Sequence, residues 1–195
     1  LLLEPEQFDN RYVIWEGGQT DKGEPTKSRN SKAYRQLAAD NEGKTVFIEA
    51  DLEMAAALVD AVHEHWLAGK LLKNSQKEVT IQWQSQGVNF KGRLDAVTPD
   101  GWLIDFKTCT DASPEGFARQ VMNLKYHWQA KLYSDGWQAA TGKKPKGFRF
   151  VAVDKLTPVP AARVCVYTVP FFYMELAAEQ IAPLIQQYKQ CSANN

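Results

Sequence analysis

Cysteine is scarce in this chain of 195 residues, with only Cys109, Cys165 and Cys191 present. The odd number and the lack of any C-x-x-C pair exclude a disulfide framework and a zinc site of the usual spacing. They also disfavour an iron–sulfur centre, and they fit a reducing, cytoplasmic setting. Neither sign of charge prevails, since Lys+Arg and Asp+Glu are 23 each and the formal net charge is zero. A simple electrostatic binder of nucleic acid would carry a basic excess. An enzyme that gathers its basic residues in one groove is still allowed. No apolar run is long enough to span a bilayer, so no membrane partner is expected. The opening Leu1-Leu2-Leu3 is too short for a signal peptide and meets Glu4-Pro5-Glu6 at once. The first residue is not Met, and the chain reads as part of something longer. Internal repeats are lacking.

What is present is a soluble globular composition, 44% hydrophobic and 24% charged, on a length that suits one domain with a good core. We expect a single domain over 1–195. A mostly helical part covers 1–75, a β core with a long helix at 114–141 covers 76–170, and a C-terminal helix covers 171–191. The fold class expected is α/β (α+β), a central mixed five-stranded sheet flanked by helices.

In chain order, residues 1–16 read as the end of a helix, a Pro-marked break and a short strand at 12–15. Residues 17–31 read as a polar loop that is either solvated or in contact with phosphate. Helices are expected at 31–41 and 51–68, with a short extended segment at 45–48 between them. His63 and His65 lack the i,i+4 spacing of a helical metal site and read as surface residues. Strands follow at 78–83, 88–97 and 102–109. Ser113-Pro114-Glu115 is a capped helix start, and Gly142 is a stop. Within 114–141, Phe117, Val121, Leu124, Trp128 and Leu132 form one apolar stripe. Met122, Tyr126, Gln129 and Tyr133 form a second. Lys143-Lys144-Pro145-Lys146 is a basic turn, either solvated or against a DNA backbone. Strands at 147–153 and 163–169 flank a Pro-rich connection at 156–160. A last helix, 171–191, should bend at Pro183, and 192–195 should fray.

The chemistry concentrates in Gly92-Arg93-Leu94-Asp95 and Ile104-Asp105-Phe106-Lys107-Thr108. Strand alternation puts Asp105 and Lys107 on one face and Trp102, Ile104 and Phe106 on the other. Asp95, on the neighbouring strand, can reach the same spot. Two carboxylates and a lysine then converge. A cation is what most readily keeps paired carboxylates ionised together. A hard divalent ion suits oxygen ligands and keeps waters, which leaves room for a phosphate. Glu78, at the start of the first strand, is either a third carboxylate or an exposed strand end.

These motifs, in this order, resemble the PD-(D/E)xK nuclease superfamily in its RecE-like branch, the exodeoxyribonuclease VIII type of phage and prophage exonuclease. Leu3-Glu4-Pro5-Glu6-Gln7-Phe8 resembles that family's L-E-P-x-x-F. Gly92–Asp95 resembles its G-x-x-D strand, and Asp105–Thr108 its D-x-K-T strand. Tyr126-His127-Trp128-Gln129-Ala130-Lys131-Leu132-Tyr133 resembles its Y-x-x-Q-x-x-x-Y helix. The resemblance implies Asp95 and Asp105 as metal ligands, Lys107 as the catalytic lysine and Glu78 as a further catalytic carboxylate. Gln129, Tyr133 and Tyr126 would position the DNA or the other site residues. The implied cofactor is Mg2+, with Mn2+ as a substitute. The implied activity is exonucleolytic hydrolysis of linear double-stranded DNA, 5′ to 3′, by a homo-oligomeric ring that feeds single strands to an annealing protein in recombination. The family's histidine before L-E-P-x-x-F and its W…P-W-like tail have no counterpart in these residues. A RecB-like or restriction-type endonuclease on the same fold, or a non-catalytic DNA-binding module, are the competing readings.

Overall fold

Three runs of alternating or continuous apolar residues build the sheet on which the site rests. In the computed structural model, which describes residues 2–155 and 162–193, they form β5 (Gln76–Ser85), β6 (Val88–Val97) and β7 (Trp102–Cys109). Two further strands, β8 (Gly147–Asp154) and β9 (Val164–Thr168), complete a five-stranded sheet of order β5-β6-β7-β8-β9. The pairs β5/β6, β6/β7 and β8/β9 are antiparallel, and β7/β8 is parallel. The mixed sheet flanked by helices is the architecture expected from the sequence. The parallel pair requires a crossover, and the helical segment between β7 and β8 supplies it.

That crossover is two helices where the sequence predicts one. α5 (Pro114–Asn123) starts on Ser113, whose hydroxyl accepts from the Gly116 N–H at 3.2 Å. α6 (Tyr126–Thr141) follows after a break at Leu124 and Lys125. Lys125 has φ 58°, a left-handed conformation that cannot continue a right-handed helix. The break cuts the predicted apolar stripe, and Leu124 is exposed. It also frees α6 to take its own direction across the sheet. α6 lies against β5, β6 and β8 and beside α7 (Phe171–Ala193), which carries Pro183 inside it. The close approach of α6 depends on two glycines. A Cβ at Gly92 of β6 would fall 2.7 Å from Tyr133 Cε1, and one at Gly136 of α6 would fall 2.8 Å from the Trp83 ring.

The core under α5 and α6 gathers Ile81, Trp83, Leu94, Val97, Leu103, Phe117, Phe148 and Phe150. Leu94 and Val97 lie three residues apart, yet both join this cluster, so the two-residue alternation of β6 slips between them. The slip coincides with a gap in the β5–β6 ladder, where Glu78 and Asp95 face each other without pairing. Glu78 there has φ 54°, a costly conformation for a non-glycine residue.

The chain forms two compact units, residues 1–60 and 61–195. In the first, a 3-10 turn (Pro5–Gln7) and a short helix, α1 (Phe8–Arg11), replace the predicted helix end. β1 (Tyr12–Trp15) pairs in parallel with β4 (Thr45–Ile48). The polar stretch 17–31 holds a small antiparallel pair, β2 (Gly18–Gln19) and β3 (Pro25–Thr26). α2 (Lys32–Asp40) is capped by Ser31. The helix expected at 51–68 divides into α3 (Glu49–Glu64) and α4 (Trp66–Lys73), because His65 stops one and caps the other. Its Nδ1 accepts from the Ala68 N–H at 3.1 Å. The connection at 156–160 and the last two residues of the expected frayed end lie outside the described residues. Among the described residues no helix is long and apolar enough to cross a membrane.

Candidate active site

The site opens where β6 and β7 part. The two strands pair only at Ala96 with Ile104 and Val97 with Leu103, next to their turn. Beyond that point the Phe106 N–H has no ladder partner on β6. It donates instead to Asp95 Oδ2 at 2.7 Å. A carboxylate therefore occupies the place of a backbone acceptor and satisfies a donor that would otherwise be costly to bury.

Along β7, alternation places Leu103, Asp105, Lys107 and Cys109 in one row. Leu103 and Cys109 belong to the apolar cluster under the crossover helices. Asp105 and Lys107 are thus the polar centre of an apolar row. Asp105 is 1% exposed. Gln129 of α6 donates from Nε2 to Asp105 Oδ1 at 2.6 Å. Lys107 Nζ lies 2.5 Å from Asp105 Oδ2. That oxygen is buried without a well-aligned hydrogen bond among the described residues. Tyr126, at the start of α6, sets its ring 4.8 Å from Lys107 Nζ, a cation–π distance. Gln120 of α5 donates to the Tyr126 hydroxyl at 3.4 Å.

The acids are crowded. Burial first, and then the neighbouring Asp105, push Asp95 up to about 6, against the pull of the Phe106 N–H and Lys107. Burial also raises Asp105, opposed by Lys107 and Gln129. Glu78 adds to the repulsion at Asp95, but its own carboxylate is ion-paired with Arg93. Of the residues singled out in the sequence, Asp95, Asp105, Lys107, Gln129 and Tyr126 are brought together. Glu78 stands beside them and is turned to Arg93. Tyr133 packs against Gly92 within the apolar cluster. Sequence reasoning missed Gln120, Arg93 and the Phe106 amide. Gln120 precedes Tyr126 by six residues across a helix break, and no periodicity could have joined them.

Two carboxylates close together, one of them buried with Lys107 beside its second oxygen, are a donor set suited to a hard divalent ion that retains waters. Asp95 and Asp105 would hold it. Among the described residues no group of three or more His, Cys, Asp or Glu gathers in metal-holding geometry.

The crowding has a measurable consequence for stability. A carboxyl held at about 6 in the folded protein, against 3.8 ordinarily, binds its proton more tightly when folded. Its stabilising contribution is complete below about pH 4 and is lost as pH rises through 6. Two pKa units correspond to about 3 kcal/mol as an upper bound. Asp95→Asn keeps an acceptor for the Phe106 N–H and removes the titration. In urea unfolding with a chelator present, the wild type should lose about 1–3 kcal/mol relative to Asp95→Asn between pH 4.5 and 7.5. Parallel pH profiles for the two proteins would contradict this.

Comparison with known proteins bears on the family and the fold. The model of the PDDEXK-like domain of unknown function (DUF3799) matches residues 1–195. No curated protein matches. A crystal structure of a protein from Eubacterium rectale with a provisional exonuclease designation superposes with a TM-score of 0.62 at 18% identity. The match covers 80% of this chain and 60% of that one, so the chain spans less than two thirds of that protein's length. An alkaline exonuclease from Laribacter hongkongensis matches at a TM-score of 0.34 and 14% identity, over 85% of this chain and 88% of that one.

Proposed function

Since the chain belongs to the PDDEXK-like family, a nuclease fold, we propose that it hydrolyses phosphodiester bonds of linear double-stranded DNA as a Mg2+-dependent exonuclease. The observation that carries this reading is the buried Asp105, held between Gln129 and Lys107 with Asp95 beside it. A buried carboxylate with a second acid as neighbour is a poor choice for stability and a good one for a site that receives a cation. The ion would polarise the scissile phosphate and stabilise the charge that develops on it.

The roles of the chain's own residues follow from their contacts. Gln129 fixes the rotamer of Asp105 by its hydrogen bond to Oδ1, so that Oδ2, now beside Lys107, is the oxygen an ion would take once the lysine moves aside. The Phe106 N–H does the same for Asp95. Lys107, a donor of three protons with no acceptor, orients the attacking water and offsets the negative charge that builds as the water oxygen bonds to phosphorus and the P–O bond to the next sugar breaks. The Tyr126 ring restrains the lysine. Tyr133 acts at one remove, by fixing the height of α6 over Gly92. Glu78 joins the acidic pair only after leaving Arg93.

The 5′-to-3′ direction, the assembly into a homo-oligomeric ring around DNA and the supply of single strands to an annealing protein follow from the RecE-like resemblance. A ring would let a subunit of zero net charge stay on its substrate, because topology would replace part of the electrostatic grip.

An end-labelled linear duplex and a closed circular duplex, each incubated with and without Mg2+, test the proposal. The linear substrate should be degraded only with the metal, and the circle should stay intact. Nicking of the circle would point to an endonuclease. Degradation in the presence of a chelator would contradict the metal assignment.

A further inference from the structure

A groove of about 500 Å³ opens at the carboxyl end of β7, directly beyond Lys107. Thr108 and Thr110 line it from the strand end, Arg119 and Gln120 from α5, and Lys155 from the end of β8. Crevices at the carboxyl ends of parallel strands are where open α/β sheets take their ligands, and β7/β8 is the parallel pair of this sheet. Lys155 is held there by its backbone, whose N–H donates to the Cys109 carbonyl at 2.9 Å. The side chains of Arg119 and Lys155 make no ion pair among the described residues, whereas Lys131 and Lys146 are both neutralised by carboxylates. The acid in the groove, Asp111, is already engaged. It accepts from the Ser113 N–H at 2.8 Å and lies 3.5 Å from Arg163 Nη1.

The groove is continuous with the site just described. Gln120 lines it and donates to Tyr126, whose ring lies against Lys107. From Lys107 to Thr110 is three residues, about 10 Å at the rise of a strand. About three nucleotides of duplex cover the same length along one strand at 3.4 Å each. Arg119, which also feels the nearby Asp111 carboxylate, Lys155 and two hydroxyls at that distance suit a phosphodiester backbone better than a base edge, because they offer donors without a fixed planar pattern.

Resting on the nuclease reading, we infer that this groove binds the backbone phosphates of the DNA strand two to three nucleotides from the scissile bond, with Arg119 and Lys155 as the cationic contacts. The basic turn at 143–146 is not the backbone contact. It lies beside Gly101 at the opposite end of β7, where the Lys146 N–H donates to the Gly101 carbonyl and Lys146 Nζ pairs with Asp100.

The test is fluorescence anisotropy of a labelled linear duplex with chelator-treated protein over a range of salt. Arg119→Gln and Lys155→Gln should each weaken binding about three- to tenfold at low salt. Each should also flatten the slope of log K against log salt by about 0.9, the value for one lost phosphate contact. Lys144→Gln should change neither quantity and should leave turnover at saturating DNA unaltered. Equal effects from Lys144→Gln and Arg119→Gln, or no effect from Arg119→Gln and Lys155→Gln while the wild type still binds and cleaves, would overturn this inference and leave the nuclease reading standing. A wild type that neither binds nor cleaves duplex DNA would overturn both.

Discussion

Asp105→Ala abolishes Mg2+-dependent degradation of linear duplex DNA while the protein remains folded: this is the largest effect expected of any single substitution. Asp105 is 1% exposed and touches both Gln129 and Lys107. If Asp105 is one of two oxygen donors for an ion, as proposed, removing its carboxylate takes away several kcal/mol of charge stabilisation. A loss of about 4 kcal/mol is already a thousandfold in rate. The substitution also strands Gln129 Nε2 and Lys107 Nζ without their acceptor, at about 1–3 kcal/mol each if no water replaces it. Asp105→Asn is the companion variant, since it keeps an acceptor for Gln129 and removes only the charge. Both should leave the far-ultraviolet circular dichroism spectrum unchanged and reduce initial cleavage rates at least a thousandfold. Undiminished cleavage by the folded Asn variant would remove Asp105 from the reaction.

Much of this arrangement was legible in the residues. Val88–Val97 and Trp102–Cys109 have the bounds read from alternation and turn residues, because the turns at Gln86-Gly87 and Pro99-Asp100-Gly101 leave little freedom for three of their four ends. Ser113 and Gly142 mark the outer limits of the crossover as capping chemistry predicts. That Asp95 can reach the Asp105–Lys107 pair follows from the two strands being neighbours across one short turn. The break at Lys125 was not legible. A left-handed lysine carries no compositional signal, and the helical periodicity runs through it undisturbed. His65 likewise reads as a helix interior, since a histidine cap is unlike the usual Ser, Thr, Asp or Asn. The partner of Glu78 was out of reach for another reason. Whether a strand-end glutamate turns to a metal or to an arginine on the next strand depends on a local slip in the ladder, and spacing along one strand does not encode it.

The largest effect on binding, as distinct from rate, is expected for Mn2+ titrated into the metal-free protein. If Asp95 and Asp105 share one ion, each must be deprotonated to hold it, and the ion competes with protons for the pair. With Asp95 held near 6, affinity should rise about fivefold between pH 5 and 6 and level off above 7, as one proton is displaced per ion. Lys107 pulls the other way, because its ammonium already neutralises part of Asp105 and must give way as the ion enters. That competition should keep the affinity modest and make the charge balance of the site sensitive to either acid.

Isothermal titration calorimetry of Mn2+ into the wild type, Asp95→Asn and Asp105→Asn at pH 7.5 is therefore the decisive measurement. The predicted result is one ion bound by the wild type and an affinity at least a hundredfold weaker in each variant. Equal affinity in all three proteins would mean that the two carboxylates do not hold a common ion.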